Sequence, residues 1–336
     1  MKVDLGLTGV VLDQVAERTA TLAALGADGV YCAEGPHDIF VPLTLAAGTG
    51  TALSITTNAA VAFPRNPIHL AHAAYDLQVL SQGRFHLGLA PQVPAHITRR
   101  FGLEWSSPVE RMRELVGALR AIFSTWQDAT PLAFEGRFYR HSLMTPMFNP
   151  GPTAYGPPPI VLGGLGPRMT AMTAEVADGL AILPFNSRRS LTDLTMAAAA
   201  QGLIRRDPSL GRLQVICGVI VGVGEGASDI AAARDGARSL LGFYGSTPAY
   251  RRVLEAEGRG DLQAELAGLV RQGRWGELGA HVPDELVDAL AVCGTPAECA
   301  EQIRAKVGDV ADRIALFTPV TPPDGVLSDL MAALRA

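Results

Sequence analysis

The residues best suited to chemistry gather in four short stretches of the chain. Glu34-Gly35-Pro36-His37-Asp38 sets an imidazole beside two carboxylates, so His37 could transfer a proton near neutral pH with help from Asp38 or Glu34. A loop histidine hydrogen-bonded to backbone is the plain alternative. Asn58 interrupts an apolar run over 53–63, and an amide in such a run must find partners, either in neighbouring backbone or in a bound heterocycle. Gln92, His96, Arg99 and Arg100 form a polar, basic group that could meet an anionic ligand or simply coat a solvated helix face. Gly163-Gly164-Leu165-Gly166-Pro167-Arg168 runs a glycine-rich turn into a helix start, where free backbone N–H groups suit a phosphate. HExxH, paired CxxC, P-loop and GxSxG motifs are absent, so zinc, nucleoside triphosphate and serine-hydrolase chemistry find no motif.

These stretches follow apolar runs that read as strands. The clearest unit spans 53–91. Residues 53–63 are small and β-branched, as in a strand covered on both faces. Asn66-Pro67 opens a helix whose apolar stripe is Leu70, Ala73, Ala74, Leu77 and Leu80, Gly83 closes it, and 84–90 is the next strand. Strand, helix and strand in that order make a right-handed βαβ unit and a parallel sheet. Further strands are expected at 2–7, 29–33, 160–163, 179–185, 213–223 and 313–317. Asp13 is expected to cap the first helix, and capping boxes are expected at Ser107–Glu110 and Thr295–Glu298. Residues 132–140 read as a hairpin turned at Glu135-Gly136. Eight strands alternating with helices close most simply into a (β/α)₈ barrel, with chemistry on the loops after the strands. A doubly wound sheet is the competitor, but Thr8-Gly9-Val10-Val11 after the first strand lacks its glycine fingerprint. The chain reads as one such domain over 1–336, with an insertion around 127–158 and a helical excursion around 227–292.

Composition narrows the partners. Apolar residues make up 48% of the 336 and charged residues 18%, enough for a sizeable core. A net charge of −5 and the lack of a basic run argue against nucleic acid, and no apolar run reaches membrane-spanning length. The N-terminus lacks a signal-peptide pattern, and Cys32, Cys217, Cys293 and Cys299 sit in apolar surroundings without metal spacing. A cytoplasmic protein with reduced cysteines and no metal site is expected.

Four segments carry a resemblance that covers nearly the whole chain: residues 56–90 (TTNAAVAFPRNPIHLAHAAYDLQVLSQGRFHLGLA), QVPAHITRRFG at 92–102 with RMRELVGALRAI at 111–122, FEGRFY at 134–139, and GLGPRMTAMTAEVADG at 164–179. The chain resembles the bacterial luciferase-like superfamily, and more closely its branch using the deazaflavin coenzyme F420. The resemblance implies a (β/α)₈ barrel that binds FMN or the deazaflavin at its C-terminal mouth. It implies that His37 faces the reacting ring, and that Thr57, Asn58 and Ala59 form a strand-three bulge behind it, often with a cis peptide in relatives. Gly164, Gly166, Arg168, Met169 and Thr170 match the turn that holds the cofactor phosphate. Ala90-Pro91 departs from the usual Gly/Ser-rich strand-four exit, where Ala90 would meet the cofactor. Gln92-Val93 replaces the usual acid beyond it, so the family's sugar-phosphate dehydrogenases are poor substrate guides.

The expected activity is hydride transfer between C5 of coenzyme F420 and a small organic substrate. Glu34, His37 and Asp38 would serve the proton, and Gln92, His96 and Arg99 would line the substrate side. An FMN-dependent monooxygenase and a barrel that only binds its cofactor are the alternatives. A homodimer is expected from the resemblance alone.

Overall fold

Runs of Val, Ile, Leu, Ala and Gly form the strands of one parallel sheet in a computed structural model that describes residues 1–336. These are β1 (Lys2–Gly6), β2 (Gly29–Cys32), β3 (Ser54–Thr57), β4 (Phe85–Ala90), β5 (Ile160–Gly163), β6 (Gly179–Ile182), β7 (Gln214–Val223) and β8 (Arg313–Phe317). Each pairs with the next in chain order, and β8 pairs with β1, so the sheet closes into a (β/α)₈ barrel. The open sheet is thereby excluded.

Side chains alternate along each strand, and the two sets have different neighbours. Ile55, Phe85, Leu87, Leu89, Leu162 and Leu180 pack with the helices in the main core. Tyr31, Val161, Ala181, Ile216 and Ala315 fill the barrel itself. At the N-terminal end of the barrel, Arg313 Nε donates to Asp4 Oδ2 at 2.9 Å, and both residues are buried. Such a pair stays stable only while both charges are present.

The helix Pro67–Leu80 starts as its sequence dictates, with Asn66 Oδ1 accepting the Ile68 N–H at 2.9 Å. Pro108–Asp128 is the longest helix and buries Met112, Leu115, Val116, Leu119, Ile122, Phe123 and Trp126. The capping box expected at its start does not form. Ser107 takes φ 41° and ψ 56° without a side-chain cap, and Glu110 accepts from Arg168 at 2.6 Å instead. Asp13 caps nothing either, because Leu12–Gln14 is a short 3₁₀ turn and the α-helix begins uncapped at Val15. Thr295 and Glu298 do form their box, with the Thr295 N–H donating to Glu298 Oε2 at 2.8 Å.

The insertion holds an antiparallel pair, Phe134–Glu135 with Arg140–His141. Its turn takes in residues 136–139, one step beyond the expected position, and the Gly136 N–H donates to the Tyr139 carbonyl at 2.9 Å. β7 is longer than its neighbours. Its pairing with β6 ends at Cys217 and with β8 at Ile220, after which 220–223 pair with an unexpected strand, Ala291–Gly294. Between them the helices Ala227–Gly245, Arg251–Ala256, Leu262–Arg271 and Asp284–Leu290 enclose a second core. This excursion therefore rises from the rim at the β7 side. The four cysteines are free, and no helix is long and apolar enough to cross a membrane.

Candidate active site at the barrel mouth

The residues after β2, β3, β4 and β5 converge on the C-terminal mouth. At β3 the strand breaks. Thr57 Oγ1 donates to the Gly88 carbonyl at 2.8 Å and accepts the Gly88 N–H at 2.7 Å, so its buried hydroxyl replaces ladder bonds to β4. A Cβ at position 88 would lie 1.7 Å from the Thr57 carbonyl oxygen, so only glycine permits this approach. The Asn58 N–H donates to the Cys32 carbonyl at 2.7 Å, the Asn58-Ala59 peptide is cis, and Ala60–Val61 resume pairing with β4. Thr57 is thus a brace. Asn58 and Ala59 are half-buried, and the Asn58 side-chain amide has no partner in the protein.

The loop after β2 packs on this break through Arg65. Arg65 pairs with Glu34 and donates to the Val61 carbonyl at 2.9 Å, and Glu34 also accepts the Val61 N–H at 2.9 Å. Asp38 lies 3.3 Å from the same guanidinium and caps the Phe40 N–H at 2.9 Å. Both carboxylates expected to assist His37 are therefore engaged by Arg65 and local backbone. His37 itself is exposed and makes no hydrogen bond in the protein, so the backbone-bonded alternative does not hold. Sequence reading missed Arg65. Its only local signal is a cation inside Pro64-Arg65-Asn66-Pro67, directly after the apolar run.

At the β4 exit, Ala90 accepts the Ala62 N–H at 2.9 Å, and Gln92 takes a left-handed φ of 67° with its Oε1 accepting the Val93 N–H. The short helix Pro94–Arg99 carries His96 and Arg99, both exposed, and Arg100 lies over the Phe101 ring at 4.9 Å. After β6, Asn186 is buried. Its Nδ2 donates to the Leu183 and Gly218 carbonyls, while its Oδ1 has no partner. That residue was also missed, for no motif marks it.

The turn after β5 has the features of a phosphate cradle. Pro167–Val176 is a helix, and the N–H groups of Leu165, Gly166, Arg168 and Met169 meet no acceptor in the protein. The Thr170 hydroxyl, beside Gly164, adds a donor without a partner. A Cβ at Gly166 would meet nothing within 4 Å, so the space above it is open. The residues present therefore fit an anionic group. Two of the expected contacts are by backbone only: the Arg168 side chain turns to Glu110, and the Met169 side chain is buried in the core. Nowhere do three His, Cys, Asp or Glu side chains converge as they would around a metal ion.

The mouth thus combines an anion cradle after β5, an unpaired amide at the β3 break, and a free imidazole on the loop after β2. Residues 2–313 match the family described as luciferase-like monooxygenase. An uncharacterized protein of Mycobacterium tuberculosis is 44% identical, with 92% of each chain covered. A 5,10-methylenetetrahydromethanopterin reductase of Methanolobus tindarius is 25% identical over 88% of this chain and 87% of its own. The solved coenzyme F420-dependent tetrahydromethanopterin reductase of Methanopyrus kandleri superposes with a TM-score of 0.80 at 16% identity, covering 99% and 97% of the two chains. Those relatives and structural neighbours that carry an activity in their names are oxidoreductases and monooxygenases. A match over residues 2–313 joined to this closed barrel has one reading: the chain belongs to the luciferase-like monooxygenase family.

Proposed function

We propose that this protein is a coenzyme F420-dependent oxidoreductase acting on a small organic substrate. The observation that carries the proposal is the cradle of free amides at Gly164–Thr170 sharing one mouth with the Asn58-Ala59 break. The similarity to reductases whose names include methanopterin or coenzyme F420 supports the deazaflavin over FMN. A bound deazaflavin supplies a ring carbon, C5, that accepts or releases a hydride.

The chain's own residues do the rest. The amides of Leu165, Gly166, Arg168 and Met169 would bind the phosphate, and the braced break at Thr57–Ala59 would back the ring. Asn58 would offer its free amide to the ring edge. His37 would hold and move the accompanying proton without a carboxylate partner, since Glu34 and Asp38 are engaged by Arg65. Gln92, His96 and Arg99 would border the substrate. Fixing both reactants in one mouth lowers the entropic part of the barrier.

Titrating the purified protein with coenzyme F420 and with FMN tests the reading, followed by fluorescence. Tighter binding of the deazaflavin is expected, and tighter binding of FMN would favour the monooxygenase. His37→Ala should lower turnover by about 10²–10⁴-fold, the usual range for a lost general acid or base, with cofactor affinity unchanged. Unaltered turnover would remove His37 from the mechanism.

A further inference from the structure

The half of the mouth facing the excursion is lined by rings. Phe317, the last residue of β8, lies 5.1 Å from Tyr31 inside the barrel and packs against both the barrel filling and the excursion core. Phe185, just past the end of β6, lies 5.9 Å from Tyr244 and 6.0 Å from Tyr250, and the two tyrosines are 5.9 Å apart. Tyr244 stands at the end of Ala227–Gly245, so that helix returns its last turn to the rim.

The chain has six tyrosines, and what their hydroxyls do separates them. Tyr31 donates to the Leu316 carbonyl at 2.8 Å, Tyr75 to the Gly151 carbonyl at 2.9 Å, and Tyr139 accepts from Arg111 at 3.2 Å. Tyr155 lies on the surface, 45% exposed. Tyr244 and Tyr250 are half-buried among other rings, yet neither hydroxyl has a partner in the protein. Neither hydroxyl is sealed from solvent, so each is free to donate to a ligand that displaces water from it.

Most of the charge around the seam is already committed, and Arg252 and Arg259 are the arginines there without a side-chain partner. Glu257 accepts the Ser187 hydroxyl at 2.6 Å, two residues beyond Phe185. Arg188 is taken by Asp309, Arg189 by the Ala256 carbonyl and Arg251 by Glu255. Burial pushes the Tyr244 phenol up to about 12, with Tyr250 adding to the shift, so the hydroxyl remains a donor at neutral pH. An anionic ligand would meet the Glu257 carboxylate and find only Arg252, which is exposed, and Arg259 uncommitted.

We infer that Tyr244, Tyr250 and Phe317, backed by the buried Phe185, wall the substrate end of the mouth and select an uncharged, flat carbonyl compound, whose oxygen accepts from the Tyr244 and Tyr250 hydroxyls. This inference rests on the mouth being the active site and adds the substrate class to it. Rings supply flat apolar contact, and the two O–H groups supply direction.

Binding of acetophenone, benzoate and ethylbenzene to the full chain, followed by ligand-observed NMR with and without coenzyme F420, tests it. Acetophenone should bind, and benzoate should bind at least about tenfold more weakly. The double variant Y244F/Y250F keeps every ring, so it should fold as the wild type does, with an unchanged melting temperature. It should weaken acetophenone about tenfold, the size of a lost hydrogen bond, and leave ethylbenzene and deazaflavin affinity unmoved. The inference is overturned if benzoate binds as well as acetophenone, if the double variant holds acetophenone as the wild type does, or if none of the probes binds. Loss of deazaflavin binding with acetophenone binding intact would strike the cofactor reading alone.

Discussion

At the scale of single residues, the mouth depends on one cation that does no chemistry. Glu34 is nearly buried, its side chain 10% exposed, and Arg65 is its charge partner. Asp38, 55% exposed, contributes little to the same group. Arg65→Met should cost about 3 kcal/mol in urea unfolding, because it strands the Glu34 carboxylate with only the Val61 N–H. Adding Glu34→Gln should recover part of that loss, and a double variant no more stable than Arg65→Met would refute the pairing. His86 makes a second prediction. Its ring lies 3.5 Å from Thr56 Oγ1, and burial, then Arg313 and Lys2, push its pKa down to about 4 from an ordinary 6.5. A depressed histidine keeps the folded state proton-poor while the unfolded chain takes up the proton. Its contribution is therefore whole above pH 6.5 and fades as the pH falls toward 4, by on the order of 2–3 kcal/mol. His86→Asn should flatten that part of the stability–pH curve between 6.5 and 4, and an unchanged slope would sink the assignment.

At the scale of elements, local sequence sufficed where one stretch decides its own structure. Apolar runs identified all eight barrel strands, and Asn66-Pro67 fixed a helix start, because those signals involve neighbours along the chain. Ser107 failed for the opposite reason: a partner 58 positions away, Arg168, takes the Glu110 carboxylate. Glu34–Arg65 and the rim strand Ala291–Gly294 were illegible for the same cause, since long-range pairing decides both. The free hydroxyls of Tyr244 and Tyr250 are a property of the assembled rim and leave no trace in a linear pattern. The insertion hairpin is another such case. Glu114, on the long helix, accepts the N–H groups of Arg137, Phe138 and Tyr139 at 3.0, 2.6 and 2.5 Å. A Cβ at Gly136 would fall 2.2 Å from Glu114 Oε1, so glycine makes room for the carboxylate. Glu114→Gln puts an NH₂ where an acceptor is needed and should cost about 1–3 kcal/mol. Hydrogen exchange of residues 136–141 should quicken while the barrel strands hold. Unchanged exchange there would show that the turn closes without the clamp.

At the scale of the whole molecule, the helices behind the β2 and β3 loops expose apolar side chains where a solvated face would carry charge. Val41 and Leu45, one turn apart on Phe40–Ala47, are 45% and 40% exposed, and Val79 and Leu80 at the end of Pro67–Leu80 are 46% and 44% exposed. The two helices pack side by side, so these residues share one side of the barrel. Scattered apolar residues on a surface need no explanation, but two adjoining helices with apolar outer faces suit a self-complementary contact. We therefore propose that this side is covered by a second copy of the chain, in the homodimer that the family resemblance implies without assigning its face. Light scattering at micromolar concentration should give twice the chain mass of 35.3 kDa, and Val41→Glu with Leu45→Glu should halve it. A functional consequence follows from which loops these helices support. Phe40–Ala47 follows His37 and Pro67–Leu80 follows Arg65, so a partner pressed on both steadies the imidazole and the guanidinium that braces the break. The monomeric variant should accordingly lose turnover more than stability. A wild-type chain that is monomeric, or a monomeric variant of full activity, would separate the mouth from the interface and leave each barrel working alone.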